Sequence, residues 1–423
     1  MKLLELHILQ SFPVTCLNRD DAGMPKTAVF GGVTRARISS QCQKRAIRML
    51  AASERGDLFG GKRTKYMVAD LVDALGEHGQ SDEHRLELAI GAVAAFGKYD
   101  DKKKQNDKSP RSKADCKIRT LYYLAPSEVG VIAEKLAELA EESADDWVTL
   151  VAAEAALAEA GDKPSKAIQD APKKAKATIH AAAKKVADKA LKSIDKGTAL
   201  KDAADIALFG RMVADSPDLG VDGAAMFSHA LSTHEAEPQP DFYSALDDEL
   251  RERLDRGEEG AHAGSGMLGV LEFTTATYYR YGAINLDMLF DEKEGYLRQL
   301  SAEDQQAALQ GFIRATVNAV PNARKTGMNG HCPPAYVIGE VRESAAPVQL
   351  VNAFEKPVRG GRDGMVTPSI DALIQHRKKI HDVWSLEGVA QATGFENSEN
   401  EDSPEHVSMS QFVTNLADAS LAK

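Results

Sequence analysis

Cysteine is scarce in this chain, and none of it is grouped. Cys16, Cys42, Cys116 and Cys332 are scattered over 423 residues with no CxxC pair, which argues against a structural zinc module or a disulfide scaffold and fits a reducing, cytoplasmic setting. No apolar run reaches the roughly 18 residues of a membrane-spanning helix, so no membrane partner is expected. The apolar opening MKLLELHILQSFP is interrupted by Glu5 and His7 and has no small-residue cleavage site after it; it reads as a strand, not a signal peptide. Neither GxxxxGK[ST] nor GxSxG occurs, which removes the P-loop and the nucleophile elbow. GSGMLG at 264–269 does match GxGxxG, but a charged loop precedes it and a strand-like run follows. A dinucleotide fingerprint needs a strand before and a helix after, so this one reads as a flexible turn, and no cofactor is expected.

Charge is plentiful but unevenly placed. The net charge is -11, yet residues 98–120 hold nine Lys and Arg against four Asp, and 163–201 hold eleven Lys against three Asp. Residues 128–159 carry nine acids with only Lys135, and 382–423 carry eight with only Lys423. Such separation suits a chain that holds a polyanion on one side and stacks on itself or keeps other anions off elsewhere, although any one run also serves as an ordinary solvated face.

The strip at 16–50 is the most informative. It contains Arg19, Lys26, Arg35, Arg37, Lys44, Arg45 and Arg48 against Asp20 and Asp21. AVFGGVTRARIS predicts a strand, a glycine turn and a second strand, with Ser39 or Ser40 capping a helix over 40–54. On that helix Gln41, Lys44, Arg45 and Arg48 fall at i, i+3, i+4 and i+7 and share a face, while Ala46, Ile47 and Leu50 turn to the core. Helix-start N–H groups beside a row of cations suit a phosphodiester backbone. Arg35 and Arg37, two apart on a strand, would add to the same surface.

Beyond it, 67–77, 83–96, 128–160 and 173–196 read as helices divided by a lysine-rich loop and by Pro164 and Pro172. Strands are expected at 205–214, 267–286 and 335–342, and helices near 301–319 and 368–382. STHEAEPQPDFYSALDDEL, polar and broken by proline, predicts a protruding loop or hairpin. The order indicates an α+β sheet domain carrying a large helical insertion.

Other candidate chemistry is thinner. His229, His234 and Glu235 lie close in sequence and invite a metal-dependent nuclease, but without HExxH spacing or a third ligand. Phe242 and Tyr243 are either loop anchors or rings that stack on bases; Met212 is a core residue or an apolar wedge. NAFEKPVRGGRDGM at 352–365 joins Lys356, Arg359 and Arg362 to glycines that let a phosphate approach the backbone.

Taken together, the CLNRDD, MPK, VFGG and RISSQ elements at 16–48, FGRM at 209–212, DGAAMFSHALSTH at 222–234, YYRYGAINL at 278–286 and NAFEKPV at 352–358 resemble the CasC family. These are the repeated backbone subunits of the type I-E CRISPR complex Cascade. The resemblance implies a modified RRM-like (ferredoxin-like) palm, α+β in class, with a helical fingers insertion and a thumb hairpin. It places the palm at 1–59, 204–285 and 286–423 with the C-terminal tail, the fingers at 60–203 and the thumb around 230–268. It implies a non-catalytic subunit, several copies of which, six in a typical filament, hold the CRISPR RNA, displace bases at intervals and present the rest to target DNA. Other Cascade subunits would complete the assembly: the large, small, repeat-end-capping and RNA-processing subunits. A separate helicase-nuclease would be recruited to cut. Arg19, Lys26, Ser39, Gln41, Lys44, Arg45, Arg48, Lys356 and Arg359 match the family's RNA-backbone contacts. Met212, Phe242 and Tyr243 match its base wedge, and Lys173, Lys174 and Lys176 resemble its DNA-attracting surface. An RNA-binding subunit of a different ribonucleoprotein is the remaining alternative to the nuclease.

Overall fold

The computed structural model describes the chain except residues 98, 102–111, 161–163, 195–200, 213–219, 246–248, 250–251, 253–255, 257–266, 344–345, 363 and 423. The first half of the GSGMLG turn, the tip of the expected hairpin and part of the lysine-rich loop therefore lie outside the described residues. Two compact units emerge: Met1–Ala51, Ala225–Leu286 and Leu309–Lys423 form one, Ala52–Ala224 and Asp287–Ala308 the other. The chain is mixed α+β, as expected.

The first unit is built on a sheet. Its middle is β1 (Leu3–Thr15), followed in the chain by β2 (Thr27–Phe30), β3 (Val33–Ile38) and helix α1 (Ser40–Glu54). β1 is the expected N-terminal strand, and β2, the Gly31–Gly32 turn, β3 and α1 match the expected strand, glycine turn, strand and helix.

In the second unit come β4 (Lys62–Thr64), α2 (Met67–Glu77), α3 (Asp82–Val93), β5 (Tyr99–Asp101), β6 (Cys116–Ile118), β7 (Tyr122–Leu124), α4 (Pro126–Glu142), α5 (Ala144–Glu159), α6 (Lys166–Ser193) and α7 (Ala204–Phe209). Leu71, Leu88, Ile132, Leu136, Ile179 and their neighbours close its core.

The chain then returns to the sheet through β8 (Ala225–Phe227), β9 (Ala230–Ser232), β10 (Gln239–Ala245) and β11 (Met267–Asn285). Helix α8 (Leu286–Phe290) and the first part of α9 (Ala302–Asn318) fall in the second unit, and the rest of α9, β12 (Tyr336–Arg342), α10 (Val366–Trp384), β13 (Val389–Thr393), β14 (Glu405–His406) and α11 (Met409–Leu421) complete the first.

Sheet order is β14-β13-β12-β1-β11-β9-β3-β2, with β8 and β10 also pairing on β11. β1 is antiparallel to both neighbours, Leu3 lying opposite Asn285 on one side and Arg342 on the other. Both faces are covered: Ile370, Leu373 and Ile374 of α10 join Leu9, Tyr279 and Tyr336. On the other face Phe412 and Leu416 of α11 press on Gly339 so closely that a Cβ there would stand 2.2 Å from Leu416. Hence even the polar residues of β1 are buried and paired. Glu5 accepts from the Tyr281 hydroxyl at 2.6 Å, Val348 N–H at 2.8 Å and Arg342 Nε at 2.7 Å. His7 bonds the Tyr279 hydroxyl at 2.9 Å, and burial lowers its pKa.

Three expectations are corrected. The 128–160 helix is two, α4 and α5, meeting at Ser143. Pro172 does not divide the lysine-rich segment: α6 begins at Lys166 with Ser165 as its N-cap and runs through the proline, which sits two turns in and is buried. Packing of Ile179, Ala183, Ala187 and Leu191 outweighs the one lost backbone bond. Residues 204–209 are the helix α7, not a strand; a short apolar run without flanking periodicity fits either state. No helix among the described residues is long and apolar enough to cross a membrane.

Candidate nucleic-acid interface

The loop before β2 is a scaffold. Asp20 Oδ1 accepts from Ala22 N–H and Met24 N–H, both at 2.9 Å, and Lys26 N–H donates to Asn18 O at 2.9 Å. Its Asp20 carboxylate is thus tied into the turn. Asn18 Oδ1 in turn accepts Ser39 N–H at 2.9 Å, and Ser39 Oγ accepts Cys42 N–H at 3.3 Å. Ser39 is 7% exposed, so it caps α1 and joins it to the loop rather than offering a hydroxyl to solvent.

Along α1 the four expected residues separate. Gln41 and Arg45 are exposed, Arg48 is half-buried, and Gln43, Ile47 and Ala51 are buried. Lys44 turns inward, its Nζ donating to Ala225 O at 3.2 Å and lying 5.7 Å above the Phe227 ring. Arg45 and exposed Arg19 border one open cavity of 630 Å³ with Asn18, Asp20, Asp21, Cys42 and Met49. Lys26 extends this field: burial raises the Cys42 thiol pKa while Arg45 and Lys26 pull it down. Burial, with Arg37 and Lys26, lowers that of His229. Arg37 donates to Thr27 O at 2.9 Å and meets His229 Nδ1 at 3.0 Å.

Arg35 has a different place from the surface role its spacing suggested. It is 0% exposed and donates to Phe30 O at 3.1 Å, Ser232 O at 3.0 Å and Phe354 O at 2.8 Å, with Glu355 O at 3.4 Å. Beside it Gly31, at φ 61°, passes so near the Glu355 carbonyl that any side chain would overlap it. Val358 N–H adds a bond to Thr233 O at 3.0 Å. These contacts pin the loop carrying exposed Lys356, Arg359 and Arg362 against the β2–β3 turn.

The expected hairpin is present, formed by β10 and the outer part of β11. Phe242 faces Val270 and Tyr243 faces Gly269 in its register. Adjacent strand residues point to opposite faces, so the two rings do not act as one pair. Phe242, Leu268 and Val270, exposed by 78, 77 and 55%, share one apolar face. Tyr243, 37% exposed, covers Gly269 on the other. Leu268 and Val270 were missed in sequence, although their alternation in MLGVLEF is the signal.

Met212, in the second unit, is 93% exposed, so the core role is excluded. Gly210 at φ 77° turns the chain, and Arg211 is anchored by Glu128 at 2.7 and 2.9 Å. On α6, Lys173 pairs with Asp170 at 3.2 Å and Lys174 is exposed. Lys176 is committed to Glu87 at 2.7 Å and Glu154 at 3.0 Å, and is therefore an internal tie rather than a surface cation.

Of the residues that invited a nuclease reading, His234 is held at both ring nitrogens. His234 Nδ1 donates to Glu235 O at 2.8 Å and its Nε2 accepts Thr277 N–H at 3.2 Å, leaving neither nitrogen for a metal. Among the described residues no group of three His, Cys, Asp or Glu is placed to hold one.

Residues 4–419 match the family model described as CT1975-like protein. The chain belongs to the CT1975-like family. No protein with a curated description matches it. The CT1975-like chain is similar to a chain of a "CRISPR RNA-guided surveillance complex, pre-nicking", at 25% identity and TM-score 0.73, covering 99% of this chain and 100% of that one. A chain of a "CRISPR RNA-guided surveillance complex" shares its fold at 23% identity and TM-score 0.61, with 99% of each covered.

Proposed function

We propose that this chain is a non-catalytic CRISPR RNA-binding backbone subunit of a type I-E Cascade, related to CasC. The sheet unit serves as an RRM-like palm, the helical unit as fingers and the β10–β11 hairpin as thumb. Copies polymerise along the guide, hold its phosphates and leave bases free to pair with target DNA, while apolar hairpin residues displace bases at intervals. Pairing supplies the sequence recognition, so the protein needs only to hold a backbone.

The observation that carries this reading is the cavity between Arg19 and Arg45, continued by Lys26, in a chain alike over its whole length to one from an RNA-guided complex. Arg19, Arg45, Gln41, Lys26, Lys356 and Arg359 bind; Ser39 and Lys44 build the surface that presents them. Arg48 lies lower on the same face. Purifying the chain with its bound RNA and sequencing that RNA is the direct test. Repeat-spacer guides are expected, whereas unselected cellular RNA would place the chain in another ribonucleoprotein. Metal-dependent strand cleavage by the purified chain that His234→Ala abolishes would overturn the non-catalytic assignment.

A further inference from the structure

Helix α5 is apolar on the side that faces solvent as well as on the side that does not. Trp147 and Leu150 are buried in the unit's core, yet Val148 and Val151 are 68 and 53% exposed. Ala152, Ala155, Ala156 and Ala158 are exposed beside them. Charge on this outward face is confined to its ends, at Asp145 and Glu159. A soluble helix ordinarily turns polar residues outward, and one apolar all round belongs in an interior.

A second unpartnered face lies on α6. Lys174, Ala177, Thr178, Ala181, Lys184 and Lys185 are exposed and fall at i, i+3, i+4, i+7, i+10 and i+11, on one side of the helix. The side away from it, with Ile179, Ala183, Ala187 and Ala190, is buried in the core. Exposed Lys189 continues the cationic edge.

We infer that the outward face of α5 docks on the lysine face of α6 in a second copy of this chain. The two are complementary in charge and in size. At 1.5 Å per residue, Asp145 and Glu159 stand about 21 Å apart and Lys174 and Lys189 about 22 Å. Between its end charges the α5 face carries mainly small side chains, with Val148 and Val151 supplying the apolar area, and on α6 the small residues Ala177, Thr178 and Ala181 lie between Lys174 and the pair Lys184 and Lys185, so the helices approach closely along that stretch. The contact joins different faces of the two copies, so it propagates from copy to copy rather than closing on itself. An acidic rim around α5 repels nucleic acid, which favours a protein occupant with lysines. This contact deepens the filament reading and rests on it.

The test uses charge reversal in the full chain. Lys174→Glu with Lys185→Glu changes one face, Asp145→Lys with Glu159→Lys the other; all four side chains are exposed, and the fold is checked by thermal unfolding. Self-association of the RNA-free chain is followed by sedimentation, and loading on long RNA and on RNA short enough for one copy by native mass spectrometry. Each double reversal is expected to weaken self-association and long-RNA loading about tenfold, leave short-RNA loading unchanged, and be rescued when the two are combined. Failure of the combined variant to rescue overturns the contact. So does a reversal on α6 that abolishes duplex DNA capture with self-association intact, which assigns those lysines to DNA instead. Reversible self-association that follows this pattern while neither RNA binds would count against the RNA reading and not against the contact.

Discussion

Cations are deployed in two ways in this chain. Around α1 they are positioned: Arg35 is buried among four carbonyls, Lys44 is anchored to Ala225 O, and Arg19 and Arg45 remain at the rim of a cavity. Along α6 they form a row on a regular helix, with Lys176 alone drawn inward by two carboxylates. A backbone that must be held in register needs the first kind. A surface met by a matching surface, or a diffuse polyanion, needs only the second.

The largest test of the contrast is Arg35→Met. Leaving Phe30, Ser232, Phe354 and Glu355 carbonyls without their donor should cost about 3 kcal/mol, read as a fall in the urea midpoint. A loss under about 1 kcal/mol would show that the β2–β3 turn and the 354–358 loop do not depend on it. Next, Arg19→Glu with Arg45→Glu should leave the midpoint within about 0.5 kcal/mol. The same pair should reduce the slope of log affinity for guide RNA against log salt by about 1.4, two single-strand phosphate contacts. An unchanged slope removes them from the RNA track.

The hairpin divides in the same manner. Phe242→Ala should lower chemical reactivity at the displaced bases, while Tyr243→Ala, on the opposite face, should change it little; equal effects would break that assignment. On α6, Lys176→Met should destabilise the helical unit by about 1 kcal/mol, whereas Lys174→Met should be near neutral, as urea unfolding will report.

The smallest effect is in pH. Burial lowers the pKa of His7 and His234 from the ordinary 6.5, so the unfolded chain takes up these protons first and the sheet unit should weaken as pH falls below about 6.5. In the helical unit, burial opposes the charge of Glu87, but hydrogen bonds from His180 and Lys176 outweigh it and hold its pKa below the ordinary value. Its contribution is present above the ordinary carboxylate range and is lost only as pH falls through the lowered value. Hydrogen exchange followed unit by unit should show the sheet responding first.

Much of the scaffold was readable. TAVF, the two glycines and VTRARI specified a turn and its strands, RISSQ specified a capped helix, and the Thr- and Tyr-rich run at 267–286 specified β11. What stayed hidden depended on partners distant in sequence. Nothing local distinguishes Arg35, which meets carbonyls more than 190 residues away, from Arg37. Lys176 looked like its lysine neighbours until Glu87 and Glu154 were folded beside it. Met212 was ambiguous until Gly210 and Arg211 were seen to turn it outward. The opposed directions of Phe242 and Tyr243 were missed for a different reason: strand period sets them, but the segment read as a polar loop, not a strand.

One property of β11 reaches beyond pairing. Its 19 residues run without interruption from Asn285, opposite Leu3, to Met267 on the exposed hairpin, a span of about 60 Å at strand rise. The hairpin is therefore a cantilever clamped at its root, where β11 is buried from Ala276 to Ile284. A load at Phe242 is borne by the sheet, and the reach of that side chain is set by counting residues along one strand, as on a ruler.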